Sequence, residues 1–156
     1  VLSPGEADCI AIAGMGASTI ISILEDDMEV AQSAKLLVLQ PMSGAASLRA
    51  WLCSHGWQLA AEELVDDAPH FYEIIAAKRG PAPVYSAAEY AVGPLLLVHK
   101  HPLLGKQLER QLATCRQLLE NMGRSERARA SEKYKEIEAL KAELEVLQNG
   151  KRSDSK

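Results

Sequence analysis

The sequence predicts an α/β unit of element order βαβαββ followed by an antiparallel hairpin of two amphipathic helices. Three observations carry that expectation. Two continuous apolar runs of strand length, ending at Ala13 and at Leu39, each lead through a turn into a segment of helical period. Two further strand-like runs are separated by Asp66-Asp67-Ala68-Pro69 alone. That is too short for the crossover a parallel pair requires, so the pair is antiparallel. From Pro102 onward apolar residues return at spacings of three and four between charged ones.

The first strand, Ala7 to Ala13, leaves through Gly14-Met15-Gly16. A tight glycine turn at the carboxyl end of a buried strand is the place where open α/β sheets take ligands, although an ordinary strand-to-helix turn looks the same in sequence. Ile20, Ile21, Ile23, Leu24 and Met28 then fall at helical spacing. Glu25, Asp26, Asp27 and Glu29 oppose the macrodipole and place the helix end near Asp27. Lys35 to Pro41 reads as a central strand buried on both faces and stopped by proline. Ser43 caps a helix over residues 44–55 with Leu48, Trp51 and Leu52 inward, and Gly56 ends it. Strands over 57–65 and 70–78 complete the sheet.

Residues 81–101 read as a linker, opened by Gly80-Pro81-Ala82-Pro83 and bent again at Gly93-Pro94. Leu104, Leu108, Leu112, Cys115, Leu119 and Met122 form one helical stripe, and Ile137, Leu140, Leu144 and Leu147 a second. Asn121-Met122-Gly123 supplies a stop and Ser125 a new cap, so residues 102–149 fold back as a hairpin of coiled-coil type. Residues 150–156 read as a disordered polar tail. The divisions are thus 1–80, 81–101, 102–149 and 150–156. The opening Val-Leu-Ser-Pro-Gly-Glu has the character of a helix end and turn, as though the sequence entered a larger domain part-way.

With 156 residues and 47% apolar content the chain can bury a real core. No apolar run approaches the roughly 18 residues of a membrane span, so no membrane partner is expected. Cys9, Cys53 and Cys115 are dispersed on apolar positions, which points to core thiols in a reducing, cytoplasmic compartment. His55, His70, His99 and His101 lack metal-ligand spacing, and Gly14 to Ser18 lacks the lysine of a phosphate-binding loop. No metal is expected. Charge is unevenly placed: residues 1–99 hold four Lys and Arg against twelve Asp and Glu, residues 100–156 thirteen against nine. An anionic macromolecule suits such a tail, and Lys100, Lys106, Arg110, Arg124, Arg127 and Arg129 are its candidate phosphate contacts. A solvated helix surface laced by ion pairs such as Lys141–Glu145 explains the same residues.

A strand ending Ile-Ala-Gly-Met-Gly, a second ending Leu-Val-Leu-Gln-Pro, then Glu-Glu-Leu-Val, Phe-Tyr-Glu-Ile-Ile, Gly93-Pro94-Leu95 and His101-Pro102-Leu103 occur in that order. The ordered set resembles the bacterial tRNA (adenine-22-N1)-methyltransferase family. The resemblance implies the C-terminal half of a Rossmann-like methyltransferase domain with a coiled-coil appendage, S-adenosylmethionine as cofactor, and tRNA as partner and substrate. It also implies that the strands carrying the methionine and ribose sites precede Val1. The sequence is then either a fragment or a protein without independent cofactor binding.

On this resemblance Ala13, Gly14, Met15 and Gly16 face the cofactor. Gly14, Met15, Gly16, Gln40, Pro41 and Tyr72 surround the target base. Gln40 reads a base edge or merely satisfies backbone groups at a strand end. Of Phe71 and Tyr72 only one can face the crevice, because neighbours on a strand point to opposite sides. Two departures stand out: Ala17 replaces a family glycine, and Met42 replaces an asparagine. A non-catalytic protein whose hairpin binds an RNA or a helical partner is the other reading of the same residues.

Overall fold

The computed structural model describes residues 2–154, the side chains of Arg152 and Asp154 apart. The chain runs β1 (Cys9–Met15), α1 (Ala17–Asp26), α2 (Met28–Ser33), β2 (Leu36–Pro41), α3 (Ala45–Ser54), β3 (Trp57–Asp67) and β4 (His70–Arg79). It continues through α4 (Ala87–Val92), α5 (Pro94–Val98), α6 (Leu104–Gly123), α7 (Glu126–Arg129) and α8 (Glu132–Asp154). One mixed sheet has the order β1-β2-β4-β3, with β1 and β2 parallel and the remaining pairs antiparallel. The β3–β4 hairpin inserts its second strand against β2, so the sheet reverses direction beside the central strand.

Leu37, Leu39, Ile75 and Ala77 face Ile20, Leu24, Leu48, Leu52 and Trp57 in the main core. Each fully buried Leu or Ile there withdraws apolar surface worth roughly 1.5–3 kcal/mol. β2 alternates, however. Leu36, Val38 and Gln40 are only half-buried, and on the same side of β1 Cys9, Ala11 and Ala13 are exposed. The expectation of a strand buried on both faces therefore meets a correction: α1 and α3 cover one face, and the described helices leave much of the other open.

The first helix stops at Asp26, and the turn at Asp27 starts the separate short helix α2. Residues 81–101 depart further from expectation, since a linker is replaced by α4 and α5 packed into a second core. Ser86 and Glu89 form a reciprocal capping box at the start of α4, and Ala88, Ala91 and Val92 bury its inner side. Pro94 occupies the first turn of α5, where its missing N–H costs nothing. Gly93 joins them at φ +113°, a conformation open to glycine.

Leu104, Leu108, Leu112 and Cys115 of α6 pack with Ile137 and Leu144 of α8 and with Val92 and Leu96. Leu104 at the start of α6 and Leu147 near the end of α8 line one cavity, so these helices are antiparallel. Ser125 accepts from the Ala128 N–H to cap α7, and Ser131 accepts from the Tyr134 N–H at the start of α8. α8 then runs through Gly150 to Asp154, where the sequence predicts a disordered tail. Residues 155 and 156 of that tail lie outside the described residues. No helix among the described residues is long and apolar enough to cross a membrane.

Candidate functional site

The carboxyl ends of β1 and β2 lie side by side because the two strands are parallel. Their register is regular to Ala13↔Gln40, then slips so that Met15 pairs with Pro41. Gly14 is the extra residue, at φ +75°. A Cβ built there would meet nothing within 4 Å, so backbone conformation rather than crowding requires glycine, and open space lies above it. The Gly14 N–H donates to Gln40 Oε1 at 2.9 Å, and Gln40 Nε2 donates to the Pro41 carbonyl at 3.2 Å. The side-chain amide thus stitches the two strand ends together. Two backbone bonds reinforce it: Met42 N–H to Met15 O at 2.8 Å and Ala17 N–H to Ser43 O at 2.9 Å.

Gly16 has an ordinary φ of −65°, but a Cβ on it would stand 3.2 Å from Ser43 Oγ. Ala17 is the first residue of α1, buried and helical, and a Cβ on Gly44 would come within 3.0 Å of its methyl. The methyl therefore fills the seam between α1 and α3 without backbone strain. A shallow cleft of about 240 Å³ lies along that seam, lined by Ala17, Ser18, Ile21, Ser43, Gly44 and Ser47. Met15 and Met42 stand exposed at the strand ends and give the corner an apolar, polarisable rim.

β4 meets β2 through Leu39↔Ile75. Continuing that register brings Tyr72 level with Met42, on the same sheet face as Gln40. Phe71 points to the other side, beneath the Arg110 guanidinium at 4.1 Å and the Lys106 ammonium at 5.6 Å. Glu73 turns inward to Arg49, which sequence reasoning passed over. Its signal was present: an arginine one turn after Ala45 and one residue after Leu48 lies on the inward arc of α3.

The six basic candidates do not form one patch. Lys106 pairs with Asp66 at 2.5 Å, and it and Arg110 are drawn onto Phe71 at the base of the hairpin. Lys100 stands near that base at φ +50° and is itself engaged. Arg124, Arg127 and Arg129 are exposed at the far tip, where Arg124 approaches Glu120 at 3.9 Å. Eighteen helical residues separate Lys106 from Arg124, about 27 Å along the axis. Nearby, His101 Nε2 contacts Glu63, while its Nδ1 accepts from the Leu103 N–H. The hydrogen bond from His101, helped by the Leu64 N–H, holds the Glu63 carboxyl below its usual range. Among the described residues no cluster of three His, Cys, Asp or Glu could hold a metal ion.

A mixed sheet with two parallel strands, the first ending in a glycine bulge, and with helices stacked on one face defines a Rossmann-like α/β protein. Within that class the chain belongs to the family "TrmK: tRNA (adenine(22)-N(1))-methyltransferase", which matches residues 1–149. It is 28% identical over 152 residues to the tRNA (adenine(22)-N(1))-methyltransferase of Bacillus subtilis, covering 94% of this chain and 63% of that protein. The crystal structure of the B. subtilis m1A22 tRNA methyltransferase TrmK superposes with a TM-score of 0.79 at 27% identity, over 95% of this chain and 66% of the other. A tRNA (m1A22) methyltransferase candidate of Streptococcus pneumoniae, solved in complex with S-adenosyl-L-methionine, gives a TM-score of 0.72 at 26% identity, over 90% and 60%. The chain thus spans a little under two thirds of the length of these relatives.

Proposed function

We propose that this chain supplies the methyl-transfer corner and the tRNA-holding hairpin of an S-adenosylmethionine-dependent methyltransferase acting on N1 of an adenine in tRNA. The observation that carries the reading is the stitched end of β1 and β2, with open space over Gly14, in a chain matched along residues 1–149 by this family. A relative of similar fold binds S-adenosyl-L-methionine.

The corner fits one end of that cofactor. Ala13 to Gly16 leave room above the strand, and exposed Met15 and Met42 offer soft apolar contacts. The carboxylate of Glu73, the residue after Tyr72, is committed to Arg49 and is not available for ribose hydroxyls. Groups for the ribose and methionine ends have to come from residues placed along the outer edge of β1, which no described strand pairs.

The cofactor, when bound, supplies an electrophilic methyl on a positively charged sulfur. The adenine N1 lone pair forms the new C–N bond as the C–S bond breaks, so no side chain has to remove a proton. This chain's work is therefore positioning, with reacting atoms held about 3–3.5 Å apart. N1 lies on the Watson–Crick edge, so a paired adenine must leave its stack first. Tyr72, half-buried and level with Met42, offers a ring for stacking worth roughly 1–3 kcal/mol. Gln40 holds the pocket floor through Gly14 more than it reads the base, because both ends of its amide are already bonded. The hairpin, read as a coiled coil of α6 and α8, carries Arg124, Arg127 and Arg129 out to tRNA phosphates.

Methyl transfer from labelled S-adenosylmethionine to tRNA tests the reading, with the chain alone and mixed with the N-terminal third of the B. subtilis relative. Incorporation at adenine N1 in the mixture is the expected result; none, with cofactor bound, sinks it. The second reading, an RNA-binding protein without catalysis, is favoured by the committed Glu73 and predicts tRNA binding in both samples with no transfer in either.

A further inference from the structure

We propose that Arg49 is a positioning residue which, through Glu62, Glu73 and the end of α4, fixes the angle of the helical hairpin to the sheet. Its side chain is wholly buried, as is that of Glu62, while Glu73 is 13% exposed. Arg49 Nε donates to Glu62 Oε1 at 2.5 Å, Nη2 to Glu73 Oε2 at 2.8 Å and Nη1 to the Tyr90 carbonyl at 2.9 Å. The second oxygen of Glu62 accepts from the Leu95 N–H at 2.8 Å. One guanidinium therefore ties α3 to β3, β4 and α4, and Glu62 extends the tie to α5.

The last carbonyls of a helix have no partner inside it. At the end of α4 they are taken from two directions. Arg49 holds Tyr90 from the sheet side, and Gln107 Nε2 of α6 holds Val92 at 3.2 Å from the hairpin side. Arg49 and Gln107 are buried as whole residues, and Glu62 is buried in its side chain. Arg49 and Gln107 each give one hydrogen bond to this six-residue helix. α4 thus acts as a peg between sheet and hairpin, gripped at each side by directional hydrogen bonds rather than by apolar contact alone.

The chain crosses the ion cluster at Gly93. A Cβ there would stand 2.6 Å from Leu96 Cδ1 and 3.1 Å from both Arg49 Nη2 and Glu62 Oε1, at a φ that already favours glycine. This accounts for the glycine of the Gly93-Pro94 step, which the sequence marks as a bend in a linker. Charge-assisted bonds weaken steeply with misalignment, and a buried carboxylate has no water to turn to, so the cluster tolerates little rotation of α4. On β4 the consequence reaches Tyr72, whose neighbours Phe71 and Glu73 are held by the hairpin and by Arg49 respectively. The consequence for methyl transfer rests on the function proposed above; the geometry itself does not.

The test is a distance measurement by pulsed electron paramagnetic resonance. Spin labels go on Cys9 and on Asn121→Cys, in a chain carrying Cys53→Ser and Cys115→Ala. The parent should give one narrow distribution. Arg49→Met should broaden and displace it with helix content unchanged, Arg49→Lys should fail to restore it because one ammonium cannot span three acceptors, and Gln107→Leu should broaden it from the hairpin side. A folded Arg49→Met with the parent distribution overturns the proposal. Should Arg49→Met not fold, Glu73→Gln and Gln107→Leu decide: parent-like distances in both overturn it, broadened distances support it. tRNA affinity of the parent is measured beside these. A parent that binds no tRNA removes the functional reading and leaves the distance result standing.

Discussion

The base and the tip of the helical hairpin carry basic residues that look alike in sequence and meet different fates in the fold. At the base, Lys106 and Arg110 lie over Phe71 and Lys106 also reaches Asp66. At the tip, Arg124, Arg127 and Arg129 stand in solvent around α7. The base cations pack on the protein's own ring and carboxylate, while the tip cations face solvent. A count of positive charge along the sequence overstates the surface available to phosphates. The energetic weights differ as well. The Lys106–Asp66 pair is half-exposed and worth at most about 1 kcal/mol, so the ring of Phe71 and the packing around it carry most of the clamp.

Replacing that ring tests the comparison most severely. Phe71→Ala should lower stability by about 2–3 kcal/mol, short of a full core deletion because the ring is half-buried, and is read by urea unfolding. A loss below about 0.5 kcal/mol, the range of a plain surface change, would dissolve the distinction between base and tip.

Charge reversal at Arg124, Arg127 and Arg129 should do the opposite. Unfolding midpoints should stay nearly fixed, while tRNA affinity falls on the order of tenfold to a hundredfold at low salt and its dependence on salt flattens. Affinity unmoved by the triple change would assign the tip, like the base, to the protein's own surface. The corresponding change at the base, Lys106→Ala with Arg110→Ala, should weaken stability more than it weakens tRNA binding.

The strand-end corner supplies a reference away from the hairpin. Gly14→Ala should cost roughly 1–2 kcal/mol, since the bulge needs φ near +75° though the space beside it is empty. Gly16→Ala, with ordinary φ, should cost less. Equal losses measured by thermal unfolding would contradict the assignment of Gly14 as the strained position.

The smallest effect concerns Glu63 and His101. Because the folded carboxyl is held below its unfolded value of about 4.5, the pair adds stability that is fully present above that value. It is lost as pH falls through the folded value. Glu63 is more than half exposed, so screening keeps the contribution small. Glu63→Gln should lower stability slightly at neutral pH and leave it nearly unchanged well below pH 4.5, so that the acid limb of the stability curve becomes slightly shallower. A steeper limb would reverse the sign.

Element order, the strand ends at Gly14 and Pro41, the β3–β4 reversal and the two long helices are all legible in sequence. Each rests on local spacing: apolar runs, glycine and proline stops, and loop lengths too short for a crossover. The same local logic misled at residues 81–101. Gly-Pro-Ala-Pro and Gly-Pro announce loops, but Ser86, Glu89 and Pro94 give short helices their starts, and burial of Val92 and Leu96 holds them in place. A six-residue helix has too few turns to display a period of its own. At the candidate site, Gly14 and Gln40 could be named from sequence, yet the bond between them could not, because 26 residues separate the partners.

The sequence by itself determined the four strands and the long helices, where glycine must turn the chain, and which family the ordered set of motifs resembles. Those properties depend on neighbours within a few residues. Tertiary structure alone decided that Arg49 is a buried hub and not a surface charge, that Lys106 and Arg110 rest on Phe71 while the tip arginines face solvent, and that one face of β2 stays open. Such outcomes turn on partners 13 to 41 residues away, such as Glu62, Glu73 and Tyr90 for Arg49 or Asp66 for Lys106. A charged side chain carries no mark of its partner until folding sets the distance and removes the water between them.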